Sequence, residues 1–212
     1  ELIEAILLEV EALLNLGRVG DARKRLADVD DRVSLSTAYA TLLGRAFYEA
    51  NDSKTAKRYI ECALASDAEN PDALYYHGLI ARDLGERIDA VSAFIQVRKR
   101  DLEESGPPWE GNFGAIDSLV EGAIGLLEER IRAMLRGVEI HIEPYPSEAQ
   151  VRAEMDPRQV LYVEQVDPER GVFERMWVFH KNIVRAGIMP GTAQQDLAAL
   201  IEREVLSGRG VL

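Results

Sequence analysis

The first half of this chain repeats itself every 34 residues, and that period restricts its fold more than any other feature. Ala22, Ala56 and Ala90 lie 34 positions apart, as do Leu26, Ile60 and Phe94, and Val29, Ala63 and Val97. Upstream in each unit the same spacing relates Leu16, Ala50 and Leu84; Gly17, Asn51 and Gly85; Val10, Gly44 and Gly78; and Leu13, Phe47 and Ala81. Seven columns in one register, nearly all small or apolar, predict a helix–turn–helix unit used three times. Gly44 and Gly78 let the first helix of a pair approach its partner closely, and the alanines at 22, 56 and 90 do the same from the second helix. The bulky column Leu26/Ile60/Phe94 fills the gap between neighbours. Gly17 and Gly85 stand where a helix is capped by glycine, and Pro71 where a first-turn proline is tolerated. One such pair cannot bury its own apolar face, so the units hold together by stacking.

These columns resemble the tetratricopeptide (TPR) family, with units starting near Ile3, Thr37 and Pro71 and ending near Glu104. The sequence departs from the family where its frequent proline is Ala68 or Leu102, and where Val10 replaces glycine. The first and last units are read as caps. The resemblance implies a helical solenoid whose concave surface is lined from the first helices: by Glu4, Leu7, Glu11, Leu14 and Asn15, then Thr41, Arg45, Tyr48 and Glu49, then Asp72, Tyr75, Leu79 and Arg82. The expected partner-binding groove is Arg45, Tyr48, Tyr75, Leu79 and Arg82, since tyrosine and arginine are enriched where binding energy concentrates. Arg45, Tyr48, Tyr75 and Arg82 are read as unnecessary for packing between repeats; the alternative is that the tyrosines merely pack on a neighbouring helix. The lysine clamp by which some TPR proteins hold a C-terminal carboxylate is missing, because Leu7, Glu11 and Asp72 occupy its places.

After Glu104 the period disappears. Ser105-Gly106-Pro107-Pro108 breaks the pattern, which divides the chain into repeats over 1–104, a linker over 105–112 and a second domain over 113–212. Ile116, Leu119, Val120, Ala123, Ile124, Leu127, Ile131 and Met134 predict one amphipathic helix, ending in Arg130, Arg132 and Arg136 before Gly137. Val138, Ile140 and Ile142 then alternate with Glu139 and His141 as a half-buried strand. Two further strands, Gln159–Gln165 and Phe173–His180, form an antiparallel hairpin around a turn at 167–171. Met176, Val178 and His180 share one of its faces, Trp177 and Phe179 the other. Thr192 caps a last helix striped by Leu197, Leu200, Ile201 and Val205. The predicted fold is mainly α, a TPR-like solenoid followed by a small α+β domain.

That order of elements, with Leu119–Arg136, Val138–Glu148 and Trp177–Gly187, is similar to the minimal zincin-type metallopeptidase domain that can follow TPR repeats in bacteria. The family's chemistry needs H-E-x-x-H on its last helix, two histidines to bind zinc and a glutamate to polarise water. Here Ser207-Gly208-Arg209-Gly210-Val211 falls at the motif's place, and the only histidines are His77, His141 and His180, none within five residues of another. The expectation is a degenerate domain: no catalytic residues, no metal site and no cofactor. His141 and His180, with Glu143 or Glu164, are the one imaginable metal site, read instead as sheet-surface histidines. His77 and Cys62 are read as packed residues, Cys62 on the buried side of a second helix, and Glu202 and Glu204 as a solvated helix face.

Charge and composition narrow the function. The chain carries 37 acids against 25 bases, a net −12, and each half is −6. Nucleic-acid and anionic-membrane binders concentrate positive charge on one face, so neither partner is expected. The longest uncharged stretch, Val33–Gly44, is 12 residues, too short to span a membrane. A single cysteine excludes an internal disulfide. The chain starts at Glu1, so a missing signal peptide carries no weight, and the cytoplasm is the default compartment. The reading is a non-enzymatic, bacterial adaptor or scaffold that binds a protein or peptide, with homo-oligomers possible. The alternatives are a divergent zinc peptidase with an unrecognised metal site and a self-associating architectural protein.

Overall fold

A computed structural model describes residues 2–29, 36–107, 110–167 and 172–207. The chain is mainly helical, with one three-stranded sheet, and divides into two units, 1–103 and 104–212. No helix among the described residues is long and apolar enough to cross a membrane.

The first unit is three helix pairs: α1 (Leu2–Asn15) with α2 (Val19–Leu26), α3 (Thr37–Glu49) with α4 (Ser53–Ser66), and α5 (Pro71–Asp83) with α6 (Arg87–Glu103). Each pair also packs on the next, α2 on α3 and α4 on α5, and the first helices touch in series. The 34-residue columns have direct physical meaning. A methyl group added to Gly44 would lie 2.5 Å from Ile60 Cδ1, and one added to Gly78 would lie 2.5 Å from Phe94 Cε1. The bulky column therefore rests on the bare backbone of the glycine column within the second and third pairs. Ala22, Ala56 and Ala90 are buried beside it. Gly17, Asn51 and Gly85 all take left-handed backbone, at φ of 70°, 59° and 76°. Glycine reaches this region without strain and asparagine more readily than most residues, which is why this column can stop all three first helices. Side chains of Ser36, Asp52 and Asn70 cap α3, α4 and α5 by accepting from Tyr39, Thr55 and Ala73 N–H. Cys62 is exposed, not packed as expected, because it lies off the face that α4 buries through Ala56, Tyr59, Ile60 and Ala63.

In the second unit a 3₁₀ turn (Glu110–Phe113) leads into α7 (Ile116–Leu126) and α8 (Glu129–Met134). Strand β1 (Glu139–Glu143), α9 (Glu148–Arg152), β2 (Leu161–Asp167), β3 (Val172–Phe179), α10 (His180–Arg185) and α11 (Ala193–Ser207) follow. The single helix expected over 116–134 is broken: Leu127 and Glu128 are extended, with ψ of 150° and 146°. Its apolar spacing continues across the break because Leu119, Val120, Ala123, Leu127 and Ile131 all enter one core. The sheet order is β1-β3-β2, with β2 antiparallel to β3 and β1 parallel to it. Met176 and Val178 point into the core with Leu161 and Val163, facing α7 and α11. His180 does not continue the strand; it starts α10, while Phe179 closes the ladder by donating to Val160 O at 2.9 Å. The expected hairpin turn lies mostly outside the described residues. Along α11, Leu197, Ile201 and Val205 are fully buried and Leu200 packs against the same core, as the stripe predicts. Thr192 precedes this helix, but its hydroxyl donates to Asp196 Oδ2 at 2.6 Å.

Candidate functional site

The side-by-side first helices bring most of the sequence-predicted groove residues to one face of the first unit. Arg45 on α3 pairs with Glu49 one turn along, at 2.8 Å. Tyr48 donates its hydroxyl to Asp83 Oδ2 on α5 at 2.9 Å, so it ties the second pair to the third. This corrects the reading that Tyr48 plays no part between repeats: its ring also meets Tyr76 edge-on at 5.8 Å. Tyr76, which sequence reasoning missed, sits at the centre. It donates to Glu49 Oε1 at 3.2 Å and meets Tyr75 at 5.5 Å. Arg82 stands over the Phe94 ring at 5.7 Å, and Tyr75 lies 6.3 Å from the same ring. Leu79 is only 7 % exposed and Thr41 8 %, its hydroxyl turned back to Thr37 O, so neither offers a surface to a partner. Periodicity marks first-helix positions but does not say how far each is covered by the next pair.

Between α1 and α3 these faces leave a cleft of about 110 Å³, floored by Leu7, Val10, Leu14 and Ala46, with Leu42, Glu11, Arg45 and Glu49 around it. Its apolar floor and mixed charges suit an amphipathic segment. Burial raises the Tyr48 hydroxyl to about 12, helped by the carboxylate of Asp83. Tyr76 is raised as well, first by burial and then by the charge of Glu49. Both tyrosines therefore act as neutral hydrogen-bond donors at physiological pH, a binding and packing role rather than acid–base work.

The histidines of the second unit stay apart in chemical role. His141 on β1 is opposite Trp177 on β3 and stacks on its indole at 5.3 Å, with Nε2 3.5 Å from Glu139. His180 opens α10, where burial and then Lys181 push its imidazole below the ordinary histidine value. His77 lies on α5 in the first unit. Among the described residues no group of three or more His, Cys, Asp or Glu could hold a metal ion. Residues 208–211, at the expected place of a zinc motif, lie outside the described residues; they contain no histidine, nor does α11, so the ligands zinc needs there are not present. Glu202 and Glu204 are half-buried on α11, and burial raises the Glu204 carboxyl. A second depression of about 220 Å³ lies beside α10. There Lys181 meets Glu110 at 2.5 Å and Arg185 meets Glu104 at 2.6 Å, so its two cations are neutralised by carboxylates of the same unit. Comparison with protein-family models, curated proteins and solved structures finds no match.

Proposed function

We propose that this protein is a non-catalytic adaptor or regulator, in which a TPR-like solenoid binds a protein or peptide and a degenerate zincin-like domain serves as a packing or binding module. The observation that carries the reading is the α1–α3 cleft with the adjoining aromatic cluster. Apolar floor, tyrosines and both signs of charge lie together on the first-helix face, as peptide recognition requires. Sequence chemistry supports the absence of peptidase activity, since three isolated histidines cannot supply H-E-x-x-H.

The test starts from a partner captured by the tagged chain and titrated against parent, Tyr75→Ala and Glu11→Lys proteins. Removal of a hot-spot tyrosine weakens binding by about 2 kcal/mol or more, with the helical circular dichroism signal unchanged. Glu11→Lys is the second arm because Glu11 is exposed on the cleft rim and its replacement leaves the core untouched. Unchanged affinity for both variants would move the binding site to the second unit. Stoichiometric zinc in purified protein, with chelator-sensitive proteolysis, would overturn the non-catalytic reading.

A further inference from the structure

The cleft between α1 and α3 has a counterpart inside the same unit. Moved on by the 34-residue period, its lining positions fall on α3 and α5, where Leu14 becomes Tyr48, Leu42 becomes Tyr76 and Glu49 becomes Asp83. At that second place the chain fills the space itself. The Tyr48 and Tyr76 rings meet edge-on at 5.8 Å, and the Tyr48 hydroxyl donates to Asp83 Oδ2 at 2.9 Å. At the first place two leucines stand where the rings would be. Leu42 stays 44 % exposed, and about 110 Å³ is left open beside Glu49.

The filled arrangement specifies what completes the open one: an aromatic ring on the apolar floor, with a hydroxyl that reaches the carboxylate at its far end. Glu49 keeps room for that hydroxyl. Arg45 at 2.8 Å and Tyr76 at 3.2 Å both reach its Oε1, and a carboxylate has about four lone-pair sites in all. The charge of the cleft is also unbalanced. Arg45 is the one base among the lining residues, against Glu11 and Glu49. It contacts Glu49 directly and answers Glu11 only at longer range, without an ion pair among the described residues. One negative charge therefore remains, and Glu11 holds it on the exposed rim. A cation beside the ring is favoured there and an acidic group is repelled.

Resting on the reading that this unit binds a peptide, we propose that the α1–α3 cleft is the receptor for one tyrosine side chain of a basic peptide, with an Arg or Lys beside the tyrosine to meet Glu11. The probe is a library of random peptides displayed on phage and selected on the immobilised full chain. The enriched sequences share a tyrosine with a neighbouring Arg or Lys. The best of them, made synthetically, is titrated against parent, Leu14→Tyr/Leu42→Tyr and Glu11→Lys proteins. The double variant supplies the rings that fill the second place, so it closes the cleft from within and weakens binding about tenfold or more. Glu11→Lys, an exposed change that leaves the core untouched, weakens it by reversing the rim charge, and added salt weakens the parent complex. Changing the peptide's tyrosine to leucine costs about tenfold as well, and changing it to phenylalanine costs less. Enriched peptides with aliphatic or acidic anchors that bind parent but not Glu11→Lys protein would overturn this inference and leave peptide binding at the cleft standing. Peptides that bind all three proteins equally, or no enrichment at all, would overturn both.

Discussion

The two units reach stability by different routes. In the first, one contact is made and then made again: a bulky side chain over a bare glycine, Ile60 on Gly44 and Phe94 on Gly78. Among the described residues, the closely packed helices of this unit lie in the same pair or the next one, so its packing closes only short loops. In the second, nothing recurs. Strand β1 pairs in parallel with β3 across the intervening α9 and β2, and α7 packs on α11 from the far end of the unit. The first unit can thus be altered by degrees, since the same arrangement is available elsewhere, whereas each element of the second has a single place.

That contrast gives a graded series of tests. The largest effect is expected from Leu197→Ala in the second unit, because Leu197 is fully buried where α11 meets the shared core. The cost is about 2–5 kcal/mol by denaturant unfolding, and a loss below about 1 kcal/mol would show that the core relaxes as a repeat array might. Next comes Asn182→Ala. The buried Asn182 amide donates to Pro157 O at 2.9 Å and Gln159 O at 2.8 Å, holding the segment that enters β2. Stranding two carbonyls costs about 1–3 kcal/mol, measured in the same way.

In the first unit Gly44→Ala forces a methyl into Ile60, which is itself fully buried and has little room to withdraw. Overpacking of about 1–3 kcal/mol is partly offset by the roughly 1 kcal/mol helix preference of alanine over glycine. The sharper measurement is the cycle with Ile60→Val, where the double variant should be more stable than the sum of the two singles predicts. Strict additivity would mean that the glycine column is not what seats the bulky one.

The smallest effect concerns Tyr48. Its folded-state value of about 12 lies above the ordinary 10, so the neutral hydroxyl is favoured by folding. The contribution is complete below about pH 10 and is lost as pH rises through about 12. Partial solvation of the ring keeps it to about 0.5–1 kcal/mol. Tyr48→Phe should flatten the alkaline fall of stability in denaturant melts, and an unchanged alkaline slope would assign that fall to Tyr76 or to lysines.

The sequence by itself determined the 34-residue register, the glycine and alanine columns that seat one helix on another, the glycine stops at 17 and 85, and the buried stripe of α11. Each depends on spacing within one element or between adjacent ones, where side-chain period maps directly onto a face. It also placed Arg45, Tyr48, Tyr75 and Arg82 on the first helices. Tertiary structure alone decided that Leu79 is covered and that Tyr48 and Tyr76 link two pairs. It also broke 116–134 at Leu127 and set β1 parallel to β3. The physical reason is the same in every case: an apolar period states that a face will be buried, while what buries it, and whether anything does, depends on residues far along the chain or outside it.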